Sequence, residues 1–456
     1  MNDRLIFPAE RYTDEQTGGC AFRAWRDIPY CAAPADAIQR LHLFAPACYA
    51  CGGSVNGYTA ETAPIFMPNW VGGYKPGEPP EPAVDAQGRP NAVLAALMHG
   101  YVVACAGIRG RGTPGNAGKA PALIVDMKAA VRYLRHNRAR IPGDTERIVT
   151  SGTSAGGALS ALTGASGNAA AYAPYLAAIG AAQERDDIFA ANCYCPIINL
   201  ENADMAYEWQ FADEAHYRGW HGEGELNDGQ MQTASELKAL FPAYVNGLAL
   251  TDEDGAPLTL EANGTGSLLA HMAGLVMRSA QMELDTHDSA ARLGELAVPG
   301  SAVEEQLFLT IEKGKVCGID WPGFVHAITR MKRPPAFDAL DLGSVENDEF
   351  AGADGTPRHF SAYSRAHSMA GVAMAEEDVI RLMNPMAQLD APGLARHWRI
   401  RHGAYDRDTS LAIPALFAAA LRMRGCSVDF HLPWGLPHSG DYDLKALFAW
   451  IDGLCR

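Results

Sequence analysis

The stretch RIVTSGTSAGGALSALTG, residues 147–164, runs from β-branched residues into a glycine-flanked serine and then into small, helix-forming residues. Its centre, GTSAG around Ser154, fits the pattern G-x-S-x-G. That pattern is typical of a sharp strand-to-helix turn that exposes a nucleophilic serine, although so short a match also arises by chance. An ordinary serine in a tight turn is the alternative, so the surrounding sequence has to decide between the two.

Strand and helix patterns alternate around this stretch. A helix is predicted where apolar side chains recur every three or four positions, at Ile124, Met127, Val131 and Leu134. Strands are predicted from apolar, β-branched runs at 39–46, 63–70, 99–112, 147–152 and 188–200. Because such alternation is typical of a mostly parallel sheet with helices on its faces, the sequence predicts an α/β fold.

The alternation is interrupted in the middle of the chain. Residues 201–385 are mixed, helical and loop-rich. Regular alternation returns with a strand, a helix, a strand and a helix at 395–403, 409–425, 426–433 and 441–454. We therefore predict one α/β core formed by residues 1–200 and 386–456, with residues 201–385 inserted into it.

Composition and charge narrow the classes of function. The chain has 37 Lys and Arg against 53 Asp and Glu, for a formal net charge of −16. This balance argues against nucleic-acid binding, which needs clustered basic residues. The sequence has no run of about 18 uncharged apolar residues, so it predicts no membrane span. The start of the sequence lacks a basic segment followed by a long apolar one, so we expect a cytoplasmic protein.

The ten cysteines do not predict a metal centre. Cys48 and Cys51 form a single C-x-x-C, and Cys193 and Cys195 lie close together. A structural zinc site usually shows two properly spaced pairs. We therefore expect most of the cysteines to be reduced, buried, small apolar side chains, and we predict no metal and no cofactor.

A catalytic acid and base are expected later in the chain. A serine hydroxyl needs a base to remove its proton, and that base needs an orienting carboxylate. In α/β-hydrolases the acid and then the histidine follow the serine, each after a strand. Asp406 follows the predicted strand 395–403, and His438 follows the predicted strand 426–433. Ser154, Asp406 and His438 are therefore the predicted triad.

Two of these roles have competitors. Asp408 is a second candidate for the acid, but the pattern HG-x-x-D favours Asp406, the first carboxylate after the strand. His431 and His402 are candidates for the base. Both lie within or at the end of a predicted strand, where a structural histidine is the simpler interpretation.

The same loops predict an oxyanion hole. The amide of Ala155 begins the helix after the serine, so it can donate to a developing oxyanion with support from the helix dipole. The second donor is expected from the loop after an early strand. NWVGGY, residues 69–74, follows such a strand, and Gly72 is the candidate.

These motifs resemble those of a known family. GTSAGGALSALTGASG, RHGAYDRDTS and HSGDYD, with the long insertion, look like bacterial tannases (tannin acyl hydrolases) and their feruloyl esterase relatives. The resemblance extends from PIFMPNWVGGY to the final helix. It implies an α/β-hydrolase fold in which residues 201–385 form a lid, and a galloyl ester substrate. It also places the family's nucleophile, acid and base on Ser154, Asp406 and His438.

The resemblance further implies a site for the galloyl ring. In that family a lysine, a glutamate and a second aspartate bind the three ring hydroxyls, and these positions fall on Lys332, Glu346 and Asp408. Phenolic hydroxyls can donate to carboxylates and accept from an ammonium. A ring without hydroxyls would leave these partners unpaired, which can discriminate by roughly 10⁴-fold or more.

One departure bears on the type of enzyme. Fungal tannases and feruloyl esterases have cysteines next to the nucleophile and the histidine, whereas Thr153 and Pro437 stand there in this chain. The resemblance therefore implies the bacterial type, without that disulfide. Together with the absent leader, this favours a cytoplasmic enzyme that hydrolyses small gallate esters.

The expected function is thus a serine esterase acting on a small phenolic ester, with no cofactor, nucleic-acid or membrane partner. A feruloyl or general aryl esterase of the same fold is the nearest alternative. A catalytically inactive binding protein and an oligopeptidase are others. Oligopeptidases share HG-x-x-D but usually carry a propeller domain, for which the first 140 residues are too few. The oligomeric state is not predicted.

Overall fold

The computed structural model describes residues 3–219, 222–286 and 308–456. Its strands are β1 Thr13–Thr17, β2 Cys20–Pro29, β3 Arg40–Pro46, β4 Pro64–Pro68, β5 Val102–Ala106, β6 Asp144–Thr153, β7 Ala190–Tyr194, β8 His216–Gly219, β9 Gly222–Glu225, β10 Leu309–Glu312, β11 Lys315–Ile319, β12 His397–Arg401 and β13 Ser427–His431. Its α-helices are α1 Ala92–Met98, α2 Ala122–His136, α3 Ala155–Ala165, α4 Ala173–Ala178, α5 Leu200–Phe211, α6 Asp228–Leu248, α7 Ser267–Thr286, α8 Trp321–Ile328, α9 Val345–Glu349, α10 Ala362–His367, α11 Glu377–Leu382, α12 Ala412–Met423 and α13 Leu444–Cys455.

Nine strands of the described chain form one twisted sheet, in the order β1-β2-β3-β5-β4-β6-β7-β12-β13. The strands from β1 to β5 pair antiparallel. From β5 to β13 every neighbouring pair is parallel. Strands β4, β5 and β7 are buried along their whole length, as expected of parallel strands covered on both faces by helices. The predicted α/β fold is confirmed.

The parallel strands bring the predicted site residues to one edge of the sheet. β6 lies between β4 and β7, and β12 follows β7. The register places Thr153 opposite Tyr194, and Tyr194 opposite Arg401. The loops after β6 and β12 therefore begin at the same level, and β4 ends beside Ser151, two residues before the end of β6. In open α/β sheets, ligands bind at this carboxyl edge.

Two predicted strands are shorter in the structure. β4 ends at Pro68 rather than Trp70, and β5 covers Val102–Ala106 rather than 99–112. The loop after β4 begins at Asn69, a buried side chain bonded to backbone carbonyls of β6 and α3. Apolar residues continue past both strand ends, some buried, such as Val71 and Ile108, and one exposed, Trp70, so composition alone does not mark the boundary.

The antiparallel hairpin of β1 and β2 was not predicted. β1 has the sequence TDEQT and is largely exposed, because it forms the outer edge of the sheet. An edge strand of this kind lacks the apolar run that identifies a buried strand. A prediction based on hydrophobic pattern therefore misses the hairpin, because the residues of β1 are polar.

The main sheet takes no strand from the described part of residues 201–385. That segment contributes helices and two separate hairpins, β8–β9 and β10–β11. Residues 220–221 and 287–307 of the predicted insertion lie outside the described residues. The division into a core and an inserted domain stays a prediction. None of the described helices is long and apolar enough to cross a membrane.

Candidate active site

Ser154 occupies the turn between β6 and α3. Its backbone has φ 62° and ψ −123°, a conformation that residues with a side chain rarely adopt. Hydrogen bonds hold it there: the Ser154 amide donates to the Tyr194 carbonyl at 3.0 Å, and the Ser154 carbonyl accepts from the Ala158 amide at 2.9 Å. The serine therefore sits in a strained turn that is fixed from both the sheet and the helix.

Glycines on both sides allow the turn. A Cβ on Gly152 would lie 2.3 Å from the Gly156 carbonyl oxygen, and a Cβ on Gly156 would lie 2.6 Å from Asn69 Oδ1. The Asn69 amide donates to the carbonyls of Ser151 and Gly156, at 3.0 and 3.1 Å. The loop after β4 is thus tied directly to the serine turn, and there is no room for larger residues between them.

Asp406 and His438 are brought together as the sequence predicts. His438 Nδ1 lies 2.8 Å from Asp406 Oδ2. The Asp406 side chain is fully buried, and its other oxygen accepts the Asp408 amide at 2.9 Å. The Asp406 amide in turn donates to the Gly403 carbonyl at 2.9 Å, so the carboxylate is fixed in a tight turn after β12.

This pairing changes the protonation of both groups. Burial alone would raise the pKa of Asp406, but His402 and His438 outweigh it and hold that pKa well below its usual range. Burial disfavours the charged form of His438, yet the attraction of Asp406 outweighs burial and raises the pKa of the imidazole. Asp406 therefore stays ionised and stabilises a protonated His438.

The Nε2 atom of His438 has no hydrogen-bond partner among the described residues. It lies 3.5 Å from Asp408 Oδ2. In catalytic sites without substrate, the contact between nucleophile and base is often long and closes only when substrate binds. Nε2 is thus the nitrogen left for proton transfer, because Asp406 already holds Nδ1.

The other candidates for the acid and the base have different partners or approach His438 differently. His431 ends β13 and pairs with Asp429, with Nε2 at 3.1 Å from Oδ1. His402 is fully buried, and burial lowers its pKa. Asp408 approaches His438 at Nε2 rather than Nδ1. This geometry favours Asp406 over Asp408 as the carboxylate that orients the imidazole.

One cluster of described residues has metal-ligand character. The ligand atoms of Cys195, His402 and Asp406 all lie within 4.8 Å of one another. Asp406 Oδ2 is the same oxygen that accepts from His438. A cation bound there would compete with the Asp406–His438 hydrogen bond. Among the cysteines, Cys48, Cys51 and Cys317 are exposed, while five of the ten are buried.

Of the two predicted oxyanion donors, Gly72 lines a cavity at Ser154, and Ala155 follows the serine directly. Ala155 is the first residue of α3, where amides have no partner within the helix. Gly72 lines a cavity of about 480 Å³ together with Ser154, Trp70 and Asp441. A second recess, of about 570 Å³, surrounds residues 138–146 at the amino end of β6, far from the serine turn in the strand direction.

The structure joins Lys332 and Asp408 beside the triad. Lys332 Nζ lies 2.6 Å from Asp408 Oδ1, and it sits 3.9 Å above the centre of the Phe337 ring. Glu346 is buried near them in α9. Burial lowers the pKa of Lys332, but Asp408 and then Glu346 outweigh it and raise that pKa. Burial raises the pKa of Glu346, against the attraction of Lys332. A cation and two acids thus lie close together, and one of the acids, Asp408, lies beside His438.

Comparison with solved structures identifies the family. A tannin acyl hydrolase from Lactobacillus plantarum is 45% identical, with a TM-score of 0.91, and the match covers 100% of this chain and 99% of that one. The Fusobacterium nucleatum tannase is 40% identical, with a TM-score of 0.93, over the full length of both chains. The chain belongs to the tannase family. A tannin acyl hydrolase in complex with ethyl gallate is 46% identical, with a TM-score of 0.91 and coverage of 100% and 99%.

The BD-FAE family model matches residues 81–215 of this chain. Comparison with curated proteins finds no match. Membership of the tannase family makes the chain a carboxylic ester hydrolase, in agreement with the sequence-based expectation.

Sequence reasoning missed the residues that hold Lys332 in this tannase-family structure. Arg330 is fully buried, pairs with the equally buried Glu208 at 2.6 Å, and donates through Nε to the Lys332 carbonyl at 2.8 Å. The Tyr207 hydroxyl accepts the Lys332 amide at 3.0 Å. Partners so distant in the sequence share no local pattern, so no motif could have revealed them.

Proposed function

We propose that the chain is a serine esterase that hydrolyses galloyl esters through Ser154, His438 and Asp406. The observation that carries this proposal is the Lys332–Asp408 pair beside the free nitrogen of His438. A hydroxylated ring bound at this pair would lie within reach of the proposed base. The substrate is a small phenolic ester, and the side chains and water complete the reaction without a cofactor.

The reaction has two acyl-transfer steps. His438 Nε2 takes the proton from Ser154 Oγ as the oxygen attacks the ester carbonyl, and Asp406 stabilises the imidazolium. The amides of Ala155 and Gly72 donate to the oxyanion. The tetrahedral intermediate collapses, His438 protonates the leaving alkoxide, and the acyl group stays on Ser154. Water then attacks the acyl-enzyme with His438 again as base and releases the acid.

Recognition of the galloyl ring depends on the charged side chains of Lys332, Asp408 and Glu346, which are largely buried. Ring hydroxyls that donate to Asp408 and Glu346 and accept from Lys332 replace the water these groups would otherwise bind. Burial makes each unmatched partner costly, because the group would stay desolvated without a hydrogen bond. A ferulate ring, which has a methoxy group and one hydroxyl, satisfies fewer of them. The proposed preference is therefore for gallate over ferulate esters.

The test compares methyl gallate with methyl ferulate for the wild type, Ser154→Ala and Lys332→Met. We expect the wild type to prefer gallate, and Ser154→Ala to lose more than about 10³-fold in kcat. Lys332→Met should lower kcat/KM for gallate by roughly 10- to 100-fold, with little change for ferulate. Lys445→Met changes an exposed lysine of α13 and serves as the control.

Each outcome has a distinct meaning. Ser154-dependent hydrolysis with a preference for ferulate would keep the nucleophile and replace the galloyl ester by a feruloyl ester. Equal loss on both esters in Lys332→Met would show that Lys332 supports the fold rather than ring recognition. Hydrolysis that survives Ser154→Ala would overturn the proposed mechanism.

A further inference from the structure

The cavity beside Ser154 has no role in ring recognition as described so far. Its volume is about 480 Å³, and its walls come from the loop after β4, the end of β6 and the loop after His438. Lys332, Glu346 and Asp408 are not among its lining residues. A volume of this size matches small-molecule sites, and a methanol leaving group would fill little of it.

We propose that this cavity binds the alcohol part of the ester, and that it accepts a polyhydroxylated ring through Trp70 and Asp441. The inference rests on the proposed function, because it assigns the second half of the same substrate. An ester has two halves on either side of its carbonyl carbon. With the acyl ring among Lys332, Glu346 and Asp408, the alcohol must occupy other space that touches Ser154.

The position of the cavity suits protonation of the leaving alcohol oxygen by His438. His438 must protonate the leaving oxygen, so the alcohol has to lie beside the loop that carries His438. Asp441 is three residues beyond His438 and lines the cavity. Gly72 and Ser154 line the same cavity. The reacting carbonyl would therefore sit where the oxyanion donor, the nucleophile and the alcohol site meet.

Trp70 offers a flat apolar surface to a ring. Its side chain is 56% exposed, and it is the most exposed of the tryptophans that the structure describes. It follows Asn69, which anchors the loop to the backbone of β6 and α3, so the indole stands on a fixed loop. An exposed aromatic ring at the rim of a catalytic cavity is suited to stacking on a sugar or a phenolic ring.

Asp441 supplies the polar partner. No hydrogen bond or ion pair joins its carboxylate to the described residues, although it lines the cavity. The surrounding protein and the nearby charge of Asp443 raise the pKa of Asp441 to about 6. At neutral pH the group is mostly ionised and can accept hydrogen bonds from neighbouring hydroxyls. A ring with adjacent hydroxyl groups provides the matching donors.

The test uses three galloyl esters with the same acyl group: methyl gallate, a monogalloyl glucose and a catechin gallate. The variants are Trp70→Ala, Trp70→Phe and Asp441→Asn. Asn suits the positive φ of 56° at this position, so Asp441→Asn removes the charge without new backbone strain. Met423→Ala, which truncates an exposed side chain of α12, is the control.

The quantity measured is kcat/KM for each large ester divided by kcat/KM for methyl gallate. We expect this ratio to fall roughly 5-fold in Trp70→Ala and to be largely restored in Trp70→Phe. In Asp441→Asn it should fall by a similar factor, roughly 3- to 10-fold. Met423→Ala should leave the ratio unchanged. A fall for one large ester or for both supports the proposal and shows whether the sugar, the phenolic ring or either one is bound.

Unchanged ratios in both Trp70→Ala and Asp441→Asn, with methyl gallate still hydrolysed, would overturn the alcohol site alone. The same conclusion follows if the variants lose equally on all three esters, because the residues would then support the fold. A wild type that does not hydrolyse methyl gallate in a Ser154-dependent way would instead refute the proposed function. The two failures are therefore distinguishable within one set of measurements.

Discussion

The carboxylate of Asp408 lies near two different groups, the ammonium of Lys332 and the imidazole of His438. Its Oδ1 lies 2.6 Å from Lys332 Nζ, and its Oδ2 lies 3.5 Å from His438 Nε2. A negative charge beside Nε2 favours the imidazolium and adds to the effect of Asp406 in raising the pKa of His438. The carboxylate proposed to bind the substrate ring would thus also set the pH at which His438, the proposed base, becomes neutral.

Replacing Asp408 by Asn should therefore move the acidic limb of the pH profile of kcat/KM to lower pH. Activity needs the neutral imidazole and appears as the pH rises through the His438 pKa. Asp408→Asn removes a charge that raises this pKa and leaves the Lys332 ammonium nearby, so both effects lower it. Asp390→Asn, in an exposed pair with Arg424, is the control. A limb that stays in place or moves to higher pH would contradict this assignment.

At the scale of helices and strands, the close approach of α3 to β12 explains why residue 164 is a glycine. A Cβ on Gly164 of α3 would lie 2.6 Å from the buried Trp398 ring of β12. Gly453 of α13 is the contrasting case, because a Cβ there would meet nothing within 4 Å. One helical glycine is thus required by packing, and the other is not.

These two glycines give a matched prediction for thermal stability. Alanine gains up to about 1 kcal/mol over glycine within a helix. Overfilling a packed core costs about 1–3 kcal/mol. We therefore expect Gly164→Ala to lower the unfolding temperature and Gly453→Ala to raise it or leave it unchanged. Differential scanning calorimetry of both variants measures this, and a stabilised Gly164→Ala would show that Trp398 can move aside.

At this scale, the sequence predicted the buried elements better than the exposed ones. The strands on either side of Ser154 were recognisable because buried parallel strands are continuously apolar. β1, with its polar sequence, was not. Trp70 was assigned to a strand because the apolar run continued, whereas the structure places it in the loop after β4. In that loop its side chain is exposed.

At the scale of the whole molecule, a buried ion pair within the segment between β7 and β12 joins α5 to the chain just before Lys332. Arg330 and Glu208 are both fully buried, and Arg330 also bonds to the Lys332 carbonyl. Arg330→Met would leave Glu208 without its counter-charge, which typically costs about 3–5 kcal/mol. The double variant Arg330→Met/Glu208→Leu removes both charges and should recover most of that loss.

The same pair predicts an effect on substrate binding. Because Arg330 holds the backbone of Lys332, Arg330→Met should raise KM for methyl gallate more than it lowers kcat. Thermal unfolding and steady-state kinetics on the single and double variants separate the two effects. If the double variant regains stability but keeps a high KM, the hydrogen bond to Lys332 positions the lysine. If KM also returns to normal, Arg330 acts only through the charge of Glu208.

The candidate site was predictable in unequal parts. Ser154, Asp406 and His438 follow strands whose order in the sheet can be anticipated, so their loops could be expected to meet. Lys332 and Glu346 lie where no periodic pattern relates them to the sheet, and only the resemblance to a family pointed to them. Trp70, Asp441 and Arg330 depend on contacts between distant segments, which a single sequence does not encode locally.

The pairing of β7 with β12 has a consequence for how the protein is made. Arg399 of β12 donates to Asn192 of β7, although 207 residues separate them in the chain. During synthesis, the edge of the buried strand β7 therefore stays unpaired until the C-terminal part has left the ribosome. An open, apolar strand edge invites association with other chains. A nascent chain of this protein is thus exposed to aggregation for nearly half of its translation, and chaperone binding would be most valuable during that interval.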